Sequence, residues 1–170
     1  MKEEKDPPKH LWAPWRMSYI AGIDSKKDEG CIFCSKPKQD RCHDKDNLLL
    51  YRGKTCFVLM NLFPYNNGHL MIIPYKHTSD ILDMDSETSS ELWSLVCRSK
   101  SAVTSVMHPD GFNIGMNLGR TAGAGIDQHI HMHIVPRWNG DTNFMPVVGE
   151  TKVISQALSD TYDALLPHYL

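Results

Sequence analysis

One stretch of seven residues constrains this chain more than any other: His129-Ile130-His131-Met132-His133-Ile134-Val135. Side chains of a β-strand alternate between the two faces of a sheet. The spacing therefore predicts a strand with three imidazoles on one face and Ile130, Met132 and Ile134 on the other. The apolar face calls for a core behind it, and the imidazole face for the mouth of a cleft. Two chemistries can use such a face. The three histidines can converge on one metal ion, as in a metallohydrolase. Alternatively, one can attack phosphorus, because neutral imidazole is a good nucleophile near pH 7. Attack splits one hard displacement into two easier ones through a phosphoramidate. It requires the second ring nitrogen to keep its proton, best against a backbone carbonyl.

The rest of the chain supplies elements to build around that strand. Leu48 to Tyr51 and Thr55 to Met60 read as strands joined by a turn at Arg52-Gly53-Lys54. Leu70 to Ile73 is a short apolar run stopped by Pro74, and Pro64 to Gly68 is a loop. A helix is predicted near residues 86 to 107, with Thr88-Ser-Ser-Glu91 as a capping box. Leu92, Leu95, Val96, Val103 and Val106 give it one apolar face. Phe112 to Asn117 alternates as a strand, and Thr151 to Leu166 reads as a C-terminal helix. The order implies an α+β fold: an antiparallel sheet of about five strands with a helix packed on one face. The organisation expected is an N-terminal arm (1–30), a central domain (31–140) and a C-terminal extension with a helix (141–170).

A net charge of -2 over 170 residues provides no basic excess for duplex nucleic acid. No apolar run has the length of a membrane span, and Met1 to Lys9 is charged, without a signal-peptide core. A cytoplasmic protein with neither nucleic-acid nor membrane partners is expected. Five unevenly spaced cysteines argue against a secreted disulfide framework. Cys31 and Cys34 form a C-x-x-C pair with the spacing of half a zinc site. Cys42 and His43 are alternative ligands, whereas Cys56 and Cys97 are expected in the core. Ahead of the histidines, Gly119 to Gly125 lets backbone N–H groups approach an anion closely. Arg120 in that loop could add a charge-assisted contact.

These motifs together resemble the histidine triad family, whose signature His-φ-His-φ-His-φ-φ (φ apolar) is matched at every position of His129 to Val135. Asn61-Leu62-Phe63-Pro64-Tyr65-Asn66-Asn67-Gly68-His69-Leu70 resembles the family's nucleoside-binding loop and strand. Ile73-Pro74-Tyr75-Lys76-His77 resembles its Pro-x-x-His segment. The flanks Leu11 to Arg16 and Gly140 to Pro146 are similar to a bacterial branch akin to fragile histidine triad hydrolases and diadenosine tetraphosphate phosphorylases. The resemblance implies cleavage of a nucleotide at its α-phosphate, with a diadenosine polyphosphate or an adenylylated small molecule as substrate. His131 would be the nucleophile, His133 the contact to phosphate and leaving group, and His129 the third triad member. Asn61 would bind ribose, Leu62 the base, and Asn117 the sugar and phosphate. Gly125 and Ile126 would lie beside the α-phosphate, with His69 behind the triad. The resemblance also implies a structural zinc on Cys31, Cys34, His77 and His129, and a homodimer, with Trp12 and Trp15 suited to its interface. Dinucleotide hydrolases of the fragile branch carry Gln where this chain has Gly125. Gln128 has the wrong strand parity to replace it, so hydrolysis and phosphorolysis both stay open. So do a nucleotide sensor with negligible turnover and a metallohydrolase that uses all three histidines as ligands.

Overall fold

The computed structural model describes residues 30–143, 154 and 156–170. Its sheet contains β1 (Leu49–Arg52), β2 (Cys56–Met60), β3 (Leu70–Pro74), β4 (Gly111–Met116) and β5 (Met132–Arg137). The order is β1-β2-β3-β5-β4, antiparallel at every pairing. The described helices are α1 (Ile32–Ser35), α2 (Ser86–Met107) and α3 (Leu158–Leu165). This is the predicted α+β architecture, with the long helix in the predicted place.

Both faces of the sheet's centre are covered, which is why β2 and β3 are buried at every position. One face packs Val58, Met60, Leu70, Ile72 and Ile134 against Leu92, Leu95, Val96 and Val103 of α2. The other packs Phe57, Leu59, Met71 and Ile73 under Phe33, which α1 carries. Burying a side chain such as Phe33 contributes about 1.5–3 kcal/mol. His133 pairs with Met71 across β3 and β5, so it lies on the Phe33 side of the sheet. The cleft is thus on the face away from α2.

The predicted capping box of α2 does not form. Asp85 caps the helix instead, accepting the Thr88 N–H at 2.7 Å. Glu91 turns to the β1–β2 connection, where its carboxylate accepts the backbone N–H groups of Lys54 (2.8 Å), Thr55 and Cys56 (3.0 Å). Consecutive turn donors without ladder partners need an acceptor more than a helix end already capped by Asp85 does. Gly53 is required there, since a Cβ would run into Glu91 and the Cys56 carbonyl. At the other end, His108 takes the left-handed conformation (φ 49°) and closes the helix on the Thr104 carbonyl.

Other expectations need correction. Pro74 ends β3 from within, pairing with Cys56, rather than stopping the strand before it. Cys97 is exposed. It follows Val96 by one residue, about 100° round the helix, and so leaves the apolar stripe. The C-terminal helix is Leu158–Leu165, shorter than 151–166; residues 151–153 and 155 lie outside the described part. It is fastened by the Tyr162 hydroxyl on the Leu49 carbonyl (3.0 Å) and by Tyr169 donating to Ser99 (2.7 Å). Trp12, Trp15 and residues 144–150 also lie outside the described residues. Among those described, no helix is long and apolar enough to cross a membrane.

Candidate active site and metal cluster

The predicted strand over residues 129–135 enters the ladder only at Met132, opposite Ile72. Beyond Ile72, side chains and a loop take over the bonding. His129 Nε2 donates to the Pro74 carbonyl (2.8 Å), and the Ile130 N–H to the carbonyl of Thr78 (2.8 Å). Thr78 is itself fixed by its hydroxyl on Asp83 (2.5 Å). His129, His131 and His133 are all buried.

Partners that can only accept or only donate assign each ring's tautomer. His129 donates from Nε2, so its Nδ1 carries the lone pair. His131 Nδ1 lies 2.9 Å from the His129 carbonyl and must donate to it. The lone pair of His131 is therefore on Nε2. Burial lowers the pKa of His131, and the bond to the His129 carbonyl opposes that shift only in part. The ring is thus kept neutral and nucleophilic. His133 stands edge-on to His131, with centroids 4.7 Å apart. Behind it, His133 Nδ1 meets His69 Nε2 at 2.9 Å, and the Tyr65 N–H donates to His69 Nδ1 at 3.1 Å.

The Nδ1 lone pair of His129 faces the cysteine pair. Cys31 Sγ is 3.3 Å from it, Cys34 Sγ 3.6 Å and His77 Nδ1 3.2 Å, with Cys34 Sγ also 3.4 Å from His77 Nδ1. The four ligand atoms all lie within 4.8 Å of one another. Two sulfurs and two imidazole nitrogens is a donor set for zinc, and nitrogen lone pairs 3.2 Å apart repel unless a proton or cation lies between them. The residues therefore fit a tetrahedral metal ion. Burial, and next the neighbouring Cys31, raise the Cys34 thiol pKa, so the protein alone favours the protonated thiol. A cavity of about 330 Å³ lined by Cys34, Pro37, Lys38, Tyr75 and His77 opens beside the cluster. Of the triad, only His129 belongs to this group. Cys42 and His43 sit on an exposed turn apart from it.

The remaining candidates are spread around the triad. Asn61 donates from Nδ2 to His69 Nδ1 (3.3 Å) and accepts the Phe63 N–H on Oδ1 (3.0 Å). Leu62 is exposed beside it. Asn117 follows β4, its amide 3.5 Å from the Gly123 carbonyl. The loop around Arg120–Ala122 makes one helical turn between Gly119 (φ 79°) and Gly123 (φ 91°). Arg120 pairs with Asp127 (3.2 Å) rather than standing alone as a phosphate cation. Gly125 is half-buried near the loop's end, and Ile126 packs on the Phe33 cluster.

Sequence reasoning did not single out Phe33 or Tyr65. The Phe33 ring lies 5.1 Å from that of His131 and 5.6 Å from that of His129. The Tyr65 ring is 4.6 Å from His69 and 5.5 Å from His133. An aromatic inside a C-x-x-C pair was a usable signal for Phe33; nothing local marks Tyr65, which contributes its ring and a backbone N–H.

A row of buried histidines leading into β5, an imidazole held with its Nε2 lone pair bare and a Cys/His cluster at the row's base point to the histidine triad class of nucleotide enzymes. The HIT domain family matches residues 43–140, and the chain belongs to that family. It is 39% identical over 163 residues to the AP-4-A phosphorylase of Mycobacterium tuberculosis (strain ATCC 25618 / H37Rv), covering 93% of this chain and 83% of that protein. It is 29% identical over 109 residues to an adenosine 5'-monophosphoramidase of Schizosaccharomyces pombe, covering 64% of this chain and 75% of that one. Among solved structures it resembles a Zn-bound histidine triad family protein from Mycobacterium smegmatis. That match has a TM-score of 0.63 and 25% identity, over 82% of this chain and 92% of the other.

Proposed function

We propose that this chain cleaves dinucleoside polyphosphates, or related adenylylated substrates, at the α-phosphate through a nucleotidyl-His131 intermediate. The observation that carries this reading is the 2.9 Å bond from His131 Nδ1 to the His129 carbonyl, which leaves Nε2 as a bare nucleophile. Attack by Nε2 forms a P–N bond and breaks the P–O bond to the leaving phosphate chain, whose oxygen departs with the electron pair. In the second half-reaction water or phosphate attacks the same phosphorus, and Nε2 leaves. The Asn61 loop positions the sugar and Leu62 the base. The Gly119–Gly125 loop, with Ile126, offers backbone donors to the phosphate, and Asn117 borders it. Likeness to an AP-4-A phosphorylase supports diadenosine tetraphosphate as substrate and phosphate as acceptor.

Cys31, Cys34, His77 and His129 would hold a zinc ion with no open position. Such an ion supplies structural cross-linking of the N-terminal segment to the base of the catalytic strand. Residues 31–140 form the catalytic unit; the expected arm lies outside the described residues apart from Gly30, as does part of the expected extension. A cytoplasmic homodimer belongs to this reading; the exposed outer strand β4, where Ile114 is 41% exposed, supports the dimer.

Product analysis with diadenosine tetraphosphate, with and without inorganic phosphate, tests the reaction. ADP formed only with phosphate indicates phosphorolysis, and AMP hydrolysis. Acid-labile adenylyl label should accumulate on the wild type and be absent from His131→Ala. Label persisting on that variant, or no turnover of any dinucleotide, would overturn the proposal.

A further inference from the structure

The hydrogen-bond chain behind His133 runs in one direction only. It begins with two donors aimed at Nδ1 of His69: the Tyr65 N–H at 3.1 Å and the Asn61 side-chain amide at 3.3 Å. The Asn61 amide cannot be turned round, because its oxygen accepts the Phe63 N–H at 3.0 Å. Nδ1 of His69 is therefore an acceptor, and the ring's proton is on Nε2. That proton is donated across 2.9 Å to His133 Nδ1. His133 Nδ1 is an acceptor in turn, which places the proton of the neutral His133 ring on Nε2. Rings two residues apart are thus set to opposite tautomers, His131 with a lone pair on Nε2 and His133 with a proton there.

A second proton on His133 would have to sit on Nδ1, facing the Nε2–H of His69 at 2.9 Å. Moving the His69 proton to Nδ1 would relieve that clash only by setting it against the Tyr65 N–H and the Asn61 amide. Charging His69 instead is opposed first by its burial and then by the neighbouring His133 and His131, which bring its pKa down to about 3. We propose that His133 acts as a neutral hydrogen-bond donor to the substrate phosphate and not as the acid for the leaving group, with Asn61 and His69 as positioning residues that hold it so. The proposal rests on the nucleotidyl-transfer reading above and narrows its substrate class. Bonds whose leaving group departs as a stable anion, such as phosphoanhydrides, suit this site. Phosphoramidates, whose amine must gain a proton to leave, do not.

Two variants separate donating from accepting at position 69. The side-chain amide of His69→Gln can still donate to His133 Nδ1, whereas the carboxylate of His69→Glu can only accept and draws a proton onto it. Ring-nitrogen ¹⁵N resonances of His133 should show a proton on Nε2 and a bare Nδ1 in wild type and His69→Gln, and a protonated Nδ1 in His69→Glu. Turnover of adenosine 5'-phosphoramidate relative to diadenosine tetraphosphate should be unchanged in His69→Gln. It should rise in His69→Glu by about 100-fold, the low end of what general acid catalysis contributes. A wild-type His133 protonated on Nδ1, or equal substrate ratios in the two variants, would overturn the proposal. The wild-type ring-nitrogen measurement needs neither turnover nor a folded variant. It therefore decides the tautomer even if the labelling experiment on His131 removes the broader reading.

Discussion

Acid should unfold this protein through His69 in a way that one substitution removes. His69 is 1% exposed, and both its ring nitrogens are committed, Nδ1 as acceptor and Nε2 as donor. Its folded pKa falls to about 3, mainly through burial, against about 6.5 in an unfolded chain. Between those values the unfolded state binds the proton and the native state does not. Stability therefore rises with pH across the window, is fully present above about 6.5, and is lost progressively on acidification towards 3. At pH 5 the chain is about 1.5 units below the unfolded value, at about 1.4 kcal/mol per unit, so His69 alone removes about 2 kcal/mol. Urea unfolding at pH 7.5 and pH 5.0, at matched zinc, provides the assay for wild type and His69→Gln. The other buried histidines and the carboxylates are common to both proteins and cancel in the difference. The wild type should lose about 2 kcal/mol more than the variant between the two pH values. Parallel losses would refute the reasoning, because His69 would then be charged at no expense in the native state.

Two further perturbations address the metal cluster and the turn beside α2. Cys34→Ser should abolish stoichiometric zinc in metal analysis and lower the melting temperature, while the wild type at a zinc concentration about a hundred times its Kd is stabilised by about 2.7 kcal/mol. Zinc that survives Cys31→Ser and Cys34→Ser together would show that other ligands hold it. Glu91→Ala strands the N–H groups of Lys54, Thr55 and Cys56. It should cost about 1–3 kcal/mol in urea unfolding, with little effect on KM.

Much of this molecule was legible because period and chemistry coincide. The His/apolar alternation of residues 129–135 placed the histidines on one side of the chain, and the spacing of Leu92, Leu95, Val96 and Val103 indicated a helix near residues 86 to 107, where α2 lies. The C-x-x-C pair indicated half of a metal cluster and the family resemblance implied the other half, His77 and His129; the fold brings the four ligand atoms together. What was missed depends on competition between partners far apart in sequence. Thr88 and Glu91 have the spacing of a capping box, but Asp85 stands nearer the helix end, and the β1–β2 turn draws Glu91 away. Cys97 has an apolar side chain but the wrong helical phase. Tyr65 matters through its ring on His69 and His133 and through a backbone N–H, and the second leaves no trace in residue type.

The ladder's late start explains how one segment serves both a Cys/His cluster and an imidazole with a bare Nε2. Had β5 paired from His129, that residue's carbonyl would be at risk of capture by a neighbouring strand, and the Pro74 carbonyl likewise. Instead Pro74 ends β3, and because proline has no N–H, the ladder has one donor fewer at that point. The Pro74 carbonyl takes the Nε2 proton of His129, which turns the Nδ1 lone pair toward Cys31, Cys34 and His77. The carbonyl of His129 takes the Nδ1 proton of His131, which bares Nε2. From His133 onward the ladder is closed, and His133 takes its tautomer from His69. Three rings alike in sequence thus take their tautomers from three different partners, His129 and His133 with the lone pair on Nδ1 and His131 with it on Nε2.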